Sequence, residues 1–267
     1  PELPEVECVR RSLEPMLLGA RVERVVVNRA SVVRVEGSRG KLPCALMRGM
    51  RVTGIERHGK QLALVGASKA GQAGGNSGGG GCVIVHLGMS GQLRWSPTGS
   101  SNRQNKPPPH THIIWHTVQG ELRFTDPRRF GGLWCYPSLA HAQAARWDKL
   151  GPDALSATPA RLHAALSPTS RALKPALLDQ AIVAGLGNIY VDELLFGAKL
   201  HPGLPAHQVT PPQAASLARR MRTLLGRAID AGGSTLRDYV DGSGTAGGYQ
   251  HAHRVYGRAG LPCLRRG

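Results

Sequence analysis

The first two residues of the chain, Pro1 and Glu2, are of the types needed for amine catalysis beside a carboxyl group. A proline that follows an initiator methionine normally becomes the mature N-terminus, and we expect this of Pro1, whose nitrogen would then be a secondary amine. Free α-amines have pKa values of about 7.7 to 8.0, and a helix that begins nearby lowers the pKa further. Such an amine can attack an electrophilic sugar carbon and form an iminium ion, which promotes elimination. Glu2 could transfer the protons.

The same two residues have a simpler interpretation as the start of a helix. Proline and glutamate are both common in a first helical turn, where they need no catalytic role. Other parts of the sequence must therefore decide between the two interpretations.

The charge of the chain predicts a polyanionic partner. Its 267 residues include 34 Lys plus Arg and 17 Asp plus Glu, which gives a net charge of +17. Nucleic acid is the first candidate and an anionic membrane the second. No apolar run approaches the roughly 20 residues of a transmembrane helix, and the acidic N-terminus does not resemble a secretory signal. We therefore expect a soluble, cytoplasmic protein that binds nucleic acid.

The five cysteines do not predict a disulfide framework. They are odd in number and never spaced as C-x-x-C, so no complete zinc site can be recognised either. Reduced and mostly buried thiols are the expected state. The positions are Cys8, Cys44, Cys82, Cys135 and Cys263.

The N-terminal half predicts one helix followed by short strands. Apolar residues recur with helical spacing from Val6 to Leu18, and Gly19 ends the run. Segments rich in Val, Ile and Leu then alternate with turns, which is typical of a β-sandwich or barrel. Examples are Arg21–Val27, Met50–Ile55, Gln61–Val65, Cys82–Leu87, His112–Thr117 and Glu121–Phe124. Two low-complexity stretches, 66–81 and 96–109, are predicted as flexible loops.

The C-terminal half predicts helices and then a basic tail. The composition changes near residues 147–153, and helix signals follow. One helix begins at Thr158-Pro159, one covers Ser170–Ile182, one is capped by Asn188 and reaches about Lys199, and one begins at Thr210-Pro211 and ends at Gly232-Gly233. The tail, 234–267, is rich in glycine and arginine, which suits contact with phosphate.

Five motifs follow one another from the first residue nearly to the last. They are PELPEVE (1–7), HLGMSG (86–91), TDPRRFGG (125–132), GLGNIY (185–190) and VYGR (255–258). Together they resemble the formamidopyrimidine-DNA glycosylase family, the bacterial 8-oxoguanine glycosylases. The resemblance implies an α+β fold with a two-layered N-terminal β-sandwich, a helix–two-turn–helix domain and a C-terminal zinc finger. We place the catalytic sandwich at 1–147, the helical DNA-binding domain at 148–233, and a lesion-capping loop with a truncated finger-like hairpin at 234–267.

The resemblance also implies the activity and the residues that carry it. A family member excises oxidised purines through a Schiff base with Pro1 and cleaves the strand by β,δ-elimination. Glu2 is then the general acid–base. Lys60, in the motif His58-Gly59-Lys60 just before a strand, matches a lysine near the scissile phosphate. Without that motif it would be a solvated strand-edge lysine. Arg258 matches a residue that binds phosphate near the elimination step.

Further residues match the family's DNA contacts. The enzyme must take the damaged base out of the helix, and Met89, Arg128 and Phe130 match the three residues that fill the space. Methionine is pliable, phenylalanine can wedge between base pairs, and arginine can hydrogen-bond the orphaned cytosine. Met89 and Phe130 could instead belong to the core, but both lie in glycine turns.

Contacts with the DNA backbone are implied for four more residues. These are His86, His110, Lys174 and Asn188. Asn188 could equally be a helix N-cap, and each histidine taken alone would be structural. Residues 233–249 match the family's flexible loop over the flipped base.

The zinc finger of the family is incomplete in this sequence. The family finger has four cysteines and begins C-x-x-C-G, whereas here Cys263 is followed by Leu264, Arg265, Arg266 and Gly267. Arg266 occupies the second cysteine position, and three of the four ligands are absent. One thiolate cannot form a four-coordinate structural site. Zinc is therefore expected from the family but is not assigned to this chain.

Two other functions are compatible with the sequence. The sister class that acts on oxidised pyrimidines shares the chemistry but typically begins Pro-Glu-Gly and lacks the Arg-Arg-Phe-Gly run, so Leu3 and 128–131 favour purines. A non-catalytic DNA-binding protein would explain the incomplete finger, but the presence of Pro1, Glu2 and Lys60 together favours an enzyme. The expected partner is double-stranded DNA with oxidised bases or abasic sites, bound by a monomer.

Overall fold

The computed structural model describes residues 1–34, 46–68, 80–98 and 107–265, which form an α+β fold. Within these residues the helices are α1 (Leu3–Leu17), α2 (Leu139–Arg146), α3 (Pro159–Leu166), α4 (Leu173–Leu178), α5 (Asn188–Ala198) and α6 (Pro211–Asp230). The strands are β1 (Arg24–Val27), β2 (Val33–Arg34), β3 (Arg51–His58), β4 (Gln61–Ala67), β5 (Gly80–His86), β6 (Gln92–Pro97), β7 (Thr111–His116), β8 (Gly120–Thr125) and β9 (Gly132–Tyr136).

The strands form two sheets that face each other across a hydrophobic core. One sheet has the order β1-β7-β8-β6 and the other β2-β9-β5-β4-β3. Neighbouring strands are antiparallel except for the β2–β9 pair. Buried residues alternate along β8 because only one of its faces meets the core. Strand β4 is buried almost throughout, and α2 covers the outer face of the five-stranded sheet. The sandwich predicted from the sequence is confirmed.

Helix α1 contributes to two hydrophobic cores. Its sandwich-facing residues are Val6, Val9, Leu13 and Leu17. Leu3 and Cys8 belong instead to the core formed by the C-terminal helices. The first helix therefore fixes the position of the chain's first two residues at the junction of the sandwich and the helical part.

The local sequence explains where two helices of the C-terminal half begin and where the last of them ends. Thr158 and Thr210 accept hydrogen bonds from the third residue of α3 and α6, and a proline follows each. The apolar side of α6 packs into the helical core, and Gly232, with φ +80°, turns the chain after the helix. Both predicted starts are confirmed.

The structure differs from the sequence-based prediction in several elements. The helix predicted over Ser170–Ile182 is only Leu173–Leu178. It ends because side chains take over the backbone bonds: Asp179 accepts from the Ala181 amide, and Gln180 bonds with Leu178, Gly185 and Leu186. The prediction also missed α2, β2, β6 and β9.

The predicted loops at 66–81 and 96–109 are described only at their edges. Residues 69–79 and 99–106 lie outside the described residues. Gly66 and Ala67 belong to β4, Gly80 and Gly81 to β5, and Ser96 and Pro97 to β6, so the strands extend further than predicted.

Residues 234–265 form turns and one short 3-10 helix, Tyr249–Ala252, and not the predicted hairpin. The segment has no alternating apolar pattern, and its backbone amides bond to side chains of the preceding helices, as described below. No helix in the described part of the chain is long and apolar enough to cross a membrane. The domain boundaries given above stay a prediction.

Candidate active site

Glu2 links the beginning of α1 to the beginning of α5. Its carboxylate accepts hydrogen bonds from the backbone amides of Gly187 (2.6 Å), Ile189 (2.9 Å) and Tyr190 (3.4 Å). A Cβ on Gly187 would lie 2.4 Å from the Glu2 carboxyl carbon, so this approach requires glycine. Gly187 is the N-cap residue, and Asn188 is the first helical residue. The predicted capping role of Asn188 is therefore wrong, because Glu2 satisfies these amides from across the fold.

Glu5 supports Glu2 from the next turn of α1 and is almost fully buried. Its carboxylate accepts from the Glu2 amide (2.8 Å), the Tyr190 hydroxyl (2.6 Å) and the Ser234 amide (2.8 Å). Three separate parts of the chain thus meet on one side chain. These bonds hold the Pro1–Glu2 peptide in a fixed orientation.

Burial shifts the protonation of the terminal groups towards their neutral forms. It lowers the pKa of the Pro1 amine, with a further decrease from the Lys60 charge, while Glu5 and Glu2 act in the opposite direction. Burial also raises the pKa of Glu2 to about 7, although Lys60 and two backbone hydrogen bonds limit the increase. Lys60 itself has a lowered pKa, again mainly through burial. A neutral amine and a protonated carboxyl group can therefore coexist near neutral pH.

The β3–β4 turn that carries Lys60 is fixed by contacts with both parts of the fold. Arg57 donates to Glu7 of α1 (2.9 Å) and pairs with Asp153. Asp153 also accepts from the Gly59 amide (2.8 Å). At Gly59, with φ +55°, a Cβ would lie 2.9 Å from the Ala184 Cβ. The charges of Glu2 and Lys60 both affect the pKa of the Pro1 amine, so these three residues lie close to one another.

His86 lies within electrostatic reach of the same group. Burial, and then the charges of Lys60 and the N-terminus, lower its pKa to about 4. The Gly88 amide donates to its Nδ1 (3.1 Å), so the neutral ring carries its proton on Nε2 and can donate a hydrogen bond there.

Met89, Arg128 and Phe130 form an exposed group beside this site. Met89 is 64% exposed and Phe130 55%, so neither belongs to the core. The Arg128 guanidinium lies 4.7 Å from the centre of the Phe130 ring. Exposed apolar side chains of this size indicate a binding surface.

The buried carboxylate of Asp126 holds the two turns that carry this group. It accepts from the Ser90 hydroxyl (2.6 Å) and from the Gly131 amide (2.8 Å). Ser90 in turn accepts from the Arg128 amide (3.2 Å). The three exposed side chains are therefore displayed by a rigid support.

The remaining predicted DNA contacts lie on separate elements. Lys174 of α4 pairs with Asp192 of α5 (2.7 Å). His110 is exposed at the start of β7 and has φ +63°. The structure does not show either residue in contact with Pro1 or Glu2. Their roles in binding phosphate stay predictions.

Residues 233–249, the predicted loop over the flipped base, pack against α1 and β6. The Tyr239 hydroxyl donates to the Glu5 carbonyl (3.2 Å). The Gly242 amide donates to Ser12 of α1 (2.8 Å), and its carbonyl accepts from Trp95 of β6 (2.8 Å). The loop thus connects the sandwich with the end of α6.

The segment that carries Arg258 is anchored by Glu193 of α5, which is almost fully buried. Its carboxylate accepts from three consecutive backbone amides, those of Arg254, Val255 and Tyr256, at 2.8–3.0 Å. Arg258 is half-buried and donates to the Pro262 carbonyl (3.4 Å). Arg254 and Arg265 also lie over the Phe196 ring, at 5.3 and 4.3 Å from its centre.

We expect Glu193→Ala to release this segment, because it leaves three amides without their acceptor. The stability should fall by about 2 kcal/mol in urea titration, and trypsin should cleave after Arg254 and Arg258 faster than in the wild type. Glu193→Gln retains one acceptor oxygen and should have a smaller effect. Glu23→Ala, which removes an exposed carboxylate, is the control. An unchanged rate of cleavage would contradict the anchoring role.

The residues present do not fit the zinc site that the resemblance implies. Cys263 is exposed, and among the described residues no three His, Cys, Asp or Glu side chains converge to hold a metal. We therefore derive no step through zinc.

Sequence reasoning did not identify three residues that organise this site: Glu5, Asp126 and Glu193. Each is an acidic residue that is almost fully buried. The available signal was an acidic side chain within an otherwise apolar or glycine-rich segment, as in the α5 sequence NIYVDELLFGA.

Comparison with known proteins gives two family matches. Residues 1–133 match the formamidopyrimidine-DNA glycosylase N-terminal domain, and residues 150–240 match the H2TH domain of formamidopyrimidine-DNA glycosylase. Relatives from several bacteria carry that enzyme's name. The protein from Methylobacterium radiotolerans is 39% identical over 287 residues, covering 100% of this chain and 91% of its own. The protein from Geobacillus kaustophilus is 37% identical over 270 residues, covering 100% and 92%.

Solved structures agree with these matches. The crystal structure of the MutM (Fpg) protein from Thermus thermophilus superposes with a TM-score of 0.81 at 37% identity, covering 99% of this chain and 90% of that one. Wild-type Lactococcus lactis Fpg in complex with DNA that contains N7-benzyl-Fapy-dG has a TM-score of 0.81 at 30% identity, covering 100% and 92%. The similarity therefore extends over both the sandwich and the helices.

Proposed function

Because the chain belongs to the formamidopyrimidine-DNA glycosylase family, we propose that it excises oxidised purines from double-stranded DNA in base-excision repair. The observation that carries the proposal is the half-buried group that Pro1 and Glu2, at the start of α1, form with Lys60 of the β3–β4 turn. We further propose that the protein acts as a monomer in the bacterial cytoplasm, and that its domains are 1–147, 148–233 and 234–267.

The Pro1 amine is the proposed nucleophile. Its lowered pKa increases the fraction of molecules in which the amine is unprotonated. The free lone pair of that amine attacks C1′ of the damaged nucleotide. The base departs with the glycosidic electron pair and a proton, and opening of the sugar ring gives an iminium ion. The iminium then accepts the electrons released when a proton leaves C2′, and the resulting enamine expels the 3′ phosphate and regenerates a conjugated iminium. Loss of a second proton, from C4′, then drives departure of the 5′ phosphate in the same way.

Glu2 is the proposed proton carrier for these steps. With a pKa of about 7, its carboxyl group can give a proton to the sugar ring oxygen and take one back at the same pH. The amides of α5 keep the carboxyl group in one orientation. Lys60 is the proposed contact with the phosphate that departs.

The exposed group supports extrusion of the base. We propose that Met89 and Phe130 fill the vacated space and that Arg128 hydrogen-bonds the orphaned cytosine. His86, His110, Lys174, Asn188 and Arg258 are the proposed contacts with the DNA backbone. The exposure of Met89 and Phe130 supports this assignment.

The test is trapping with borohydride on a duplex that contains 8-oxoguanine opposite cytosine. Borohydride reduces the iminium, so we expect a covalent protein–DNA adduct at Pro1, identified by peptide mass spectrometry. A duplex with thymine glycol is the matched control and should give little adduct. Preference for thymine glycol would indicate the pyrimidine-specific sister class, and intact binding without any adduct would indicate a DNA-binding protein without catalysis.

A further inference from the structure

A cavity beside the exposed group is lined by three arginines. It has a volume of about 290 Å³. The lining residues are Ser31, Val32, Arg34, Arg128, Arg129, Phe130 and Gly131. The presence of three arginines and a serine at one cavity favours an anion with several oxygen atoms.

Arg34 is held towards this cavity by its position in the sheet. It ends β2, and its register partner in the parallel strand β9 is Trp134. The Arg34 guanidinium lies 5.4 Å from the centre of the Trp134 ring. A Cβ on Gly132 would lie 3.0 Å from Arg34 Nε, so the small residue leaves space for the side chain. A guanidinium that is already oriented loses less entropy on binding a ligand.

The charge around Arg34 is not neutralised within the described residues. Arg34 forms no ion pair there. A second guanidinium, that of Arg146, lies 3.7 Å from the centre of the same Trp134 ring. The Arg34 and Arg146 charges both help to lower the pKa of His86. The positive potential therefore continues from Lys60 across β9 to the cavity.

Arg129 adds a backbone feature to the cavity. It has φ +58°, a conformation that is uncommon for a residue with a side chain. Its amide donates to the Asp126 carbonyl (3.3 Å), and Asp126 also holds the neighbouring Gly131 amide. The turn thus places Arg128 and Arg129, which are consecutive in the chain, at the same cavity.

We propose that this cavity binds a phosphodiester group of the DNA strand opposite the lesion, with Arg34 as its main contact. The strand assignment rests on the proposed function, in which Arg128 contacts the orphaned base. A phosphate bound by Arg34 and Arg129 in the same cavity then belongs to the strand of that base. This contact would fix the register of the undamaged strand while the damaged nucleotide is turned out.

Arg34→Ala tests the contact by the salt dependence of duplex binding. Each phosphate contact contributes about 0.9 to the slope of log K against log salt, so the slope should decrease by about 0.9, and affinity at about 150 mM salt should fall about fivefold. Arg219→Ala on α6, which does not line the cavity, removes the same charge and should change the slope less. Arg34→Lys keeps the charge and should restore most of the slope. Equal slopes for Arg34→Ala and the wild type would overturn the proposal.

A methylphosphonate scan identifies the strand. Neutral methylphosphonates are placed one at a time near the lesion in each strand. One position opposite the lesion should weaken wild-type binding about fivefold and have little effect on Arg34→Ala, because the contact is already lost. The proposal would be overturned if the only methylphosphonate whose effect disappears in Arg34→Ala lay in the damaged strand, or if no methylphosphonate behaved in this way. Borohydride trapping of Arg34→Ala on a single-stranded abasic substrate should equal that of the wild type, so a failure of the proposed chemistry is seen separately.

Discussion

Extending the chain before Pro1 is expected to abolish the covalent adduct and to lower base excision by at least about a thousandfold. The extension turns the Pro1 nitrogen into an amide, whose lone pair is delocalised and cannot attack C1′. The contacts of Glu2 and Glu5 with α5 do not depend on this amine. The fold and the affinity for DNA should therefore change little.

A removable extension makes this test decisive. The chain is produced with a short tag that a protease cleaves immediately before Pro1, and single-turnover excision of 8-oxoguanine is measured before and after cleavage. Recovery of activity with the new terminus assigns the chemistry to the amine. Duplex affinity measured in parallel controls for obstruction by the tag. Excision and adduct formation by the uncleaved protein would disprove Pro1 as the nucleophile.

The second large effect is expected for Glu2→Gln. Removing a general acid–base typically costs about 10²- to 10⁴-fold in rate. Glutamine has nearly the same size and keeps one oxygen to accept from the α5 amides, so the fold should be maintained. Glu23→Gln, an exposed change of the same kind, is the control.

The rate of excision should depend on pH differently in the wild type and in Glu2→Gln. Glu2 has a pKa raised to about 7, so the protonated form that donates to the sugar decreases as the pH rises through 7. The Pro1 amine, with a pKa below its ordinary value, loses its lone pair as the pH falls. Wild-type excision should therefore pass through a maximum near neutral pH. The Gln variant should lose the decline above pH 7 but keep the decline at low pH. An unchanged alkaline decline would show that another group provides the proton.

The sequence was sufficient for the sandwich but not for all of its strands. Strand β2 has only two residues, which is too few for a recognisable pattern. Strand β6 does alternate, with Leu93 and Trp95 as its apolar positions, but the run is short and ends at Pro97. Strand β6 forms because β8 offers a continuous partner. Helix α2 is short, and only Ala142 is buried in it. Pairing and packing across the fold, and not local propensity, decide these elements.

The candidate active site likewise has some residues that the sequence reveals and others that it does not. Pro1, Glu2 and Lys60 could be predicted because motifs carry them, and the structure brings them together. The contacts that support these residues could not be predicted, because the partners are distant in sequence. Glu2 and Gly187 are 185 positions apart, and Glu5 and Ser234 are 229 positions apart. No local pattern encodes such a contact.

The dependence of the first residues on distant partners also affects the order of events during synthesis. Glu2 and Glu5 are synthesised long before their partners, because Ile189 of α5 follows Glu2 by 187 residues and Ser234 follows Glu5 by 229. Until those partners are made, the amine and the carboxyl group are hydrated and titrate like those of an unfolded chain. The surroundings of the amine are therefore completed only after the sandwich and the six helices of the described part of the chain have been made.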